Sequence, residues 1–158
     1  MSISDQPTYN QQMIAYYYGA KYGHDWEAVR QSYLRSQANV KPSLRRAMLM
    51  LQDAFRGRRV LELAAGGGQW SREIAQTAKT VLATDTSERV LEVGRSLTEE
   101  INITYRRCDA FDVSEIDGSF SGAFHFNFIN HLCYTQWAGL VEHLHTKLEA
   151  GAVVVMGG

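Results

Sequence analysis

Cysteine is scarce in this chain. Cys108 and Cys133 are the only two, and they fall at neither metal-ligand nor redox-pair spacing, so no metal site is expected and both read as reduced core thiols. Charge of one sign is lacking as well. Sixteen Lys and Arg against seventeen Asp and Glu leave a net charge of −1, which draws the protein toward neither nucleic acid nor a membrane surface. The arginine doublets Arg45-Arg46, Arg58-Arg59 and Arg106-Arg107 are scattered over different elements and read as solvated ends. Long apolar runs are missing. The run Ala152 to Met156 is far too short to span a bilayer, and the N-terminus has neither a basic start nor an apolar segment, so no membrane partner and a cytoplasmic location are expected. No glycine leads into a Lys-Ser or Lys-Thr pair, which removes a phosphate-loop nucleotidase.

What is present is one domain's worth of patterned sequence, 158 residues. The first 57 residues carry helical stripes: Met13, Ile14 and Tyr17; then Trp26, Val29 and Tyr33; then Leu44, Ala47, Met48, Leu51 and Phe55, with Pro42 suited to the first turn of the last. From Arg58 onward short apolar runs at 60–63, 81–83, 103–105, 123–128 and 153–156 alternate with helical stripes. Those stripes are Trp70, Ile74, Ala75 and Ala78; Val90, Leu91, Gly94 and Leu97; and Trp137, Leu140, Val141, Leu144 and Leu148. Repeated strand-helix-strand units imply right-handed crossovers, hence an α/β fold with a doubly wound, mainly parallel sheet and helices on both faces. The expected organisation is an N-terminal helical segment, 1–57, ahead of an α/β core, 58–158.

The stretch Arg59-Val-Leu-Glu-Leu-Ala-Ala-Gly-Gly-Gly68 joins an apolar strand to an acidic residue and three glycines, which lets backbone meet a ligand closely. Asp85 closes the next apolar run about 20 residues further on, the distance of a ribose-hydroxyl acceptor. Together they point to an adenosine-containing ligand. Ser87 reads as the N-cap of the following helix, leaving Asp85 and Thr86 in the loop. Glu62, Asp85, Asp109 and Asn127 all fall at the carboxyl ends of successive strands, so one topology gathers them at a single sheet edge. The dinucleotide fingerprint Gly-x-Gly-x-x-Gly fails at Ser71, which weakens a nicotinamide-dependent oxidoreductase.

The glycine stretch resembles the nucleotide loop of class I S-adenosylmethionine-dependent methyltransferases, whose acidic-x-Gly-x-Gly-x-Gly pattern falls on Glu62, Ala64, Gly66 and Gly68. Ala64 replaces the first glycine, a change that asks the backbone to keep φ negative or the loop to shift. The resemblance runs from about Arg58 to Met156 and implies a Rossmann-like methyltransferase fold with S-adenosylmethionine as cofactor. It implies Glu62 beneath the methionine end, Gly66 and Gly68 against the cofactor, Asp85 on the ribose and Asp109, in Cys108-Asp109-Ala110, beside the adenine. It further implies a tyrosine-bearing lid, with Tyr18 and Tyr22 as its residues, and His131 facing a small-molecule acceptor as a candidate base.

Other readings stand beside these. Asp109 could cap the next helix, Trp70 reads as core, and His131 could serve as a structural hydrogen-bonder. Glu62, inside an apolar run, needs a donor, either the cofactor's ammonium or backbone amides. His125 reads as core and His143 and His145 as surface residues. Family members continue past the fifth strand with a helix and an antiparallel hairpin, which the expected fold lacks since the sequence ends at Gly158. The last strand is therefore expected at an exposed edge, covered by a homodimer mate or a partner chain. A non-catalytic binding or assembly module of the same fold is the alternative function.

Overall fold

The computed structural model describes residues 23–99 and 102–157. Helix α1, Trp26–Ala38, starts where the Asp25 carboxylate accepts from the Ala28 amide at 3.0 Å, and α2, Pro42–Ala54, starts with its proline at the first turn. The alternating core follows: β1 Arg59–Glu62, α3 Gln69–Ala75, β2 Thr80–Asp85, α4 Glu88–Ser96, β3 Ile103–Arg107, β4 Phe120–Phe126, α5 Tyr134–His145 and β5 Leu148–Gly157. Single 3-10 turns sit at Val113–Glu115 and Ile129–His131.

The five strands are parallel in the order β3-β2-β1-β4-β5. The order reverses at β1, between the β1–β2 and β1–β4 pairs, and the crevice outside the carboxyl ends there is where open α/β sheets bind ligands. Alternation divides the sheet's residues between two cores. Val60, Val81 and Phe124 meet Leu51 and Phe55 around α2 and Ile74 and Ala75 of α3, whereas Leu61, Leu63 and Ala123 meet Leu140 and Leu144 of α5. Each fully buried Val, Leu, Ile or Phe among them contributes about 1.5–3 kcal/mol. This clamps β1 from both faces and fixes where its carboxyl end emerges.

Several boundaries differ from the sequence reading. Leu148 belongs to β5 and not to the α5 stripe, Val141 of that stripe is exposed, and Phe128 lies beyond β4 in a turn. Strand β5 begins well before the apolar run because Gly151, at φ 77, lets the strand loop out of register between its pairings with Phe120 and Gly122. Among the described residues, β5 is an edge strand paired with β4 alone. No described helix is long and apolar enough to cross a membrane.

Candidate functional site

The site grows from the register of β1 and β2. Glu62 lies opposite Ala83, so the loops that leave both strands emerge side by side. The loop after β1 is tied across to β2 by the Ala65 amide, which donates to the Thr84 carbonyl at 2.8 Å, and it closes on itself where the Gly68 amide donates to the Ala65 carbonyl at 3.0 Å. Gly66 at φ 56 and Gly68 at φ 71 occupy the left-handed region that favours glycine. Ala64 lies there too, at φ 51. The negative φ on which the alanine was expected to be tolerated is not adopted. Its methyl group sits in a conformation costing roughly 1–2 kcal/mol.

Asp85 ends β2 facing this loop. Its Oδ2 accepts from the Gly66 amide and its Oδ1 from the Ser87 amide, both at 3.0 Å. Burial pushes its pKa above the ordinary aspartate value, opposed by the amides of Ser87, Gly66 and Thr86 and reinforced by the charge of Asp109. Asp109 follows β3, the strand paired with β2, so it leaves the sheet at the same edge as Asp85. Asp109 uses Oδ1 to accept from the Phe111 amide at 3.0 Å, a local turn bond. Ser87 caps α4 as its sequence suggested, accepting from the Val90 amide. The Thr86 carbonyl accepts from Arg107 Nε at 3.2 Å.

Glu62 is 2% exposed. The donor it requires is the Ser71 hydroxyl, which reaches Oε2 at 2.5 Å, and not a backbone amide. Burial raises its pKa to about 8, against the opposing effects of Ser71 and the nearby Arg72 charge, while Asp85 adds to the rise. Near neutral pH this carboxyl is therefore mostly protonated, and an approaching cation would favour its ionisation.

The remaining candidates spread along the same edge. Asn127, exposed and left-handed at φ 59, follows β4 and donates its amide to the Gly157 carbonyl at 2.8 Å. His131 is half-buried on the turn after it, its amide donating to Phe128. Ala110 is buried in the core on the α5 face. Tyr18 and Tyr22 lie outside the described residues. Trp70, half-buried at the margin of the core, packs against Phe124 and Phe126 at 5.8 and 4.8 Å between ring centroids.

Sequence reasoning missed Ser71 and Arg72, both buried on the first turn of α3. Arg72 Nη1 donates to the Gly67 carbonyl at 2.8 Å, bracing the loop from behind. One signal was available: Ser71 stands where the dinucleotide fingerprint wants glycine. Three minor readings also change. Cys133 is exposed and caps α5, Cys108 is half-buried, and His143 bonds through Nδ1 to the Phe111 carbonyl instead of lying free on the surface. Among the described residues, no three His, Cys, Asp or Glu side chains are grouped to hold a metal ion.

A family model described as a methyltransferase domain matches residues 60–151. A demethylmenaquinone methyltransferase of Clavibacter sepedonicus is 42% identical over 65 residues, 40% of this chain and 26% of that protein's length. Among solved structures, DhpI in complex with SAH superposes at a TM-score of 0.64 with 24% identity, over 83% of this chain and 65% of that one. An S-adenosylmethionine-dependent methyltransferase from Mesorhizobium loti matches at 0.60 with 26% identity, over 70% and 50%. Magnesium protoporphyrin IX methyltransferase from Synechocystis PCC 6803, with bound SAM, matches at 0.65 with 15% identity, over 92% and 74%. The chain thus spans 26% of the length of the curated relative.

Proposed function

Because the chain belongs to the methyltransferase-domain family, we propose that it binds S-adenosylmethionine in the crevice between β1 and β2 and directs the methyl group to a small-molecule acceptor. One observation carries the reading: the Asp85 carboxylate is fixed by two backbone amides beside a left-handed glycine turn. A carboxylate offers about four acceptor positions, so the Gly66 and Ser87 bonds, with the Thr86 amide also acting on the group, leave one or two positions for the ribose hydroxyls. Gly66 and Gly68 supply bare main chain for the cofactor's approach, and the Glu62 carboxyl stands ready to ionise against its ammonium. Asp109 reads the adenine, with Thr86, Asn127 and the main chain of the core residue Ala110 completing the rim. The loop's Ala64 is the departure the family pattern must accommodate.

Bound there, S-adenosylmethionine supplies a sulfonium-activated methyl group. The chain's contribution is chiefly positioning, which in well-ordered reactions accounts for about 7–11 kcal/mol of barrier. His131, on the turn after β4, is the side chain assigned to take a proton from an oxygen or nitrogen acceptor. Within segment 1–57, which precedes the 58–158 core, Tyr18 and Tyr22 are assigned the lid, while Leu51 and Phe55 pack into the sheet's core. A small-molecule acceptor accords with the names of the demethylmenaquinone and magnesium protoporphyrin IX enzymes and with a net charge of −1. The β5 edge, with Val154 and Met156 partly exposed, is assigned to a second copy or partner chain, and light scattering at rising concentration tests it.

Calorimetric titration of S-adenosylhomocysteine into the protein and its Asp85→Ala variant tests the cofactor site. A loss of about tenfold to a hundredfold in affinity is expected, the value of a charge-assisted bond pair. Absence of binding to the unaltered chain, or equal binding by both, would remove the reading.

A further inference from the structure

Helix α1 carries a stripe at helical spacing, Trp26, Val29, Tyr33 and Gln37, that does more than bury apolar surface. The Tyr33 hydroxyl accepts from the Gly67 amide at 3.1 Å. Its ring lies so close over that residue that a Cβ on Gly67 would come within 2.6–2.9 Å of ring carbons. One turn along α1, with the Gln37 amide oxygen turned inward, that oxygen accepts from Arg72 Nε and Nη2 at 2.6 and 2.8 Å, and Arg72 in turn holds the Gly67 carbonyl at 2.8 Å. Both sides of the Gly67 residue, its N–H and its C=O, are therefore held from α1, one directly and one through Arg72. At the other end of the stripe, the Arg89 guanidinium lies 5.9 Å from the Trp26 ring centroid, in cation–π range.

These grips coincide with the two turns that hold Asp85. Gly67 follows Gly66, whose amide binds Oδ2, and Arg89 lies in the first turn of α4 just past Ser87, whose amide binds Oδ1. We propose that α1 is a strut fixing the glycine loop and the β2–α4 turn relative to each other around Asp85, with Tyr33 and Gln37 as positioning residues for the cofactor loop. The cofactor part of this inference rests on the reading of the site given above. It goes beyond that reading in making affinity depend on a helix outside the α/β core that forms the crevice.

Hydrogen exchange on the ligand-free full chain tests the strut directly. In Tyr33→Phe, which keeps the ring and removes the hydroxyl, exchange of the Gly67 amide should quicken by about fivefold to tenfold, the equivalent of one net hydrogen bond. The thermal midpoint should fall by only about 2–5 °C, the size of one hydrogen bond in a domain of this length, because the ring still fills its place. Affinity for S-adenosylhomocysteine should fall by a similar factor. Gln37→Leu should weaken binding likewise, and Gln37→Glu, which still accepts from Arg72, should restore it. Unchanged Gly67 exchange in Tyr33→Phe overturns the strut. Failure of the unaltered chain to bind S-adenosylhomocysteine overturns the site reading instead, with the exchange measurement still deciding whether α1 holds the loop.

Discussion

The Gly66 amide donates to Oδ2 of Asp85 across 3.0 Å, joining the loop after β1 to the end of β2. The residue that frees the backbone and the residue that offers the charge are thus parts of one hydrogen-bonded unit. An acidic side chain so placed is held in one rotamer before any ligand arrives, so no ordering of that side chain is needed on binding. The arrangement also has an electrostatic cost, since burial disfavours the very charge that a diol would be attracted to.

That cost makes binding sensitive to acid. With its folded pKa raised above 3.8, Asp85 takes up a proton at a higher pH than an ordinary aspartate, and the protonated group loses acceptor capacity. Affinity for S-adenosylhomocysteine should therefore weaken on acidification, beginning above the usual aspartate range, and Asp85→Asn should flatten this limb while binding weakly throughout. An acid limb that persists unchanged in Asp85→Asn would assign it to another group.

Glu62 gives a stability profile of definite sign. Its folded pKa is raised from 4.5 to about 8, so between these values the folded protein keeps a proton that the unfolded chain has released. Stability contributed by the neutral carboxyl is present below about 4.5 and is lost as pH rises toward 8, by an amount on the order of a few kcal/mol. Glu62→Gln, which cannot ionise, should remove that slope and raise stability most above pH 8. Urea midpoints measured from pH 5 to 9 on both proteins check it; parallel curves would show that Glu62 titrates normally.

Much of this architecture was legible in the sequence because local chemistry and tertiary need coincide. Pro42 and Ser87 start their helices, the run 60–63 is a strand core, and the acidic strand ends do gather at one edge. What was illegible depends on partners distant in sequence. Tyr33 reads as one more aromatic on a helical stripe until its hydroxyl is seen on Gly67. Ser71 and Arg72 look like surface residues of a helix until the loop folds over them. Strand β5 hid its beginning behind Glu149, Ala150 and Gly151, where a register shift and not an apolar pattern continues the pairing.

The left-handed Ala64 offers a gain of stability. At φ 51 an alanine carries the steric penalty of roughly 1–2 kcal/mol that glycine escapes, partly offset by glycine's larger unfolded-state entropy of about 0.4–1 kcal/mol. Ala64→Gly should therefore stabilise the fold by up to about 1.5 kcal/mol and leave S-adenosylhomocysteine affinity unchanged or improved. Chemical denaturation reads the outcome, and a destabilised Ala64→Gly would mean the methyl group makes packing contacts that outweigh its strain.

His125 sets the opposite pH limit from Glu62. It is 1% exposed on β4, its ring edge-on to Phe128 at 6.0 Å, and neither ring nitrogen has a hydrogen-bond partner among the described residues. Burial alone lowers its pKa from 6.5 to about 4, so below 6.5 the unfolded chain binds a proton that the folded one refuses. Stability should then fall as pH drops from 6.5 toward 4. Leucine in its place removes both unsatisfied nitrogens, each worth about 1–3 kcal/mol when buried unpaired, against some loss of fit to Phe128. His125→Leu should accordingly be more stable at pH 5 than the unaltered protein, by more than it is at pH 8. A variant equally stabilised at both pH values would show relief of polar burial without any titration, and one destabilised at both would show that the imidazole is satisfied in solution.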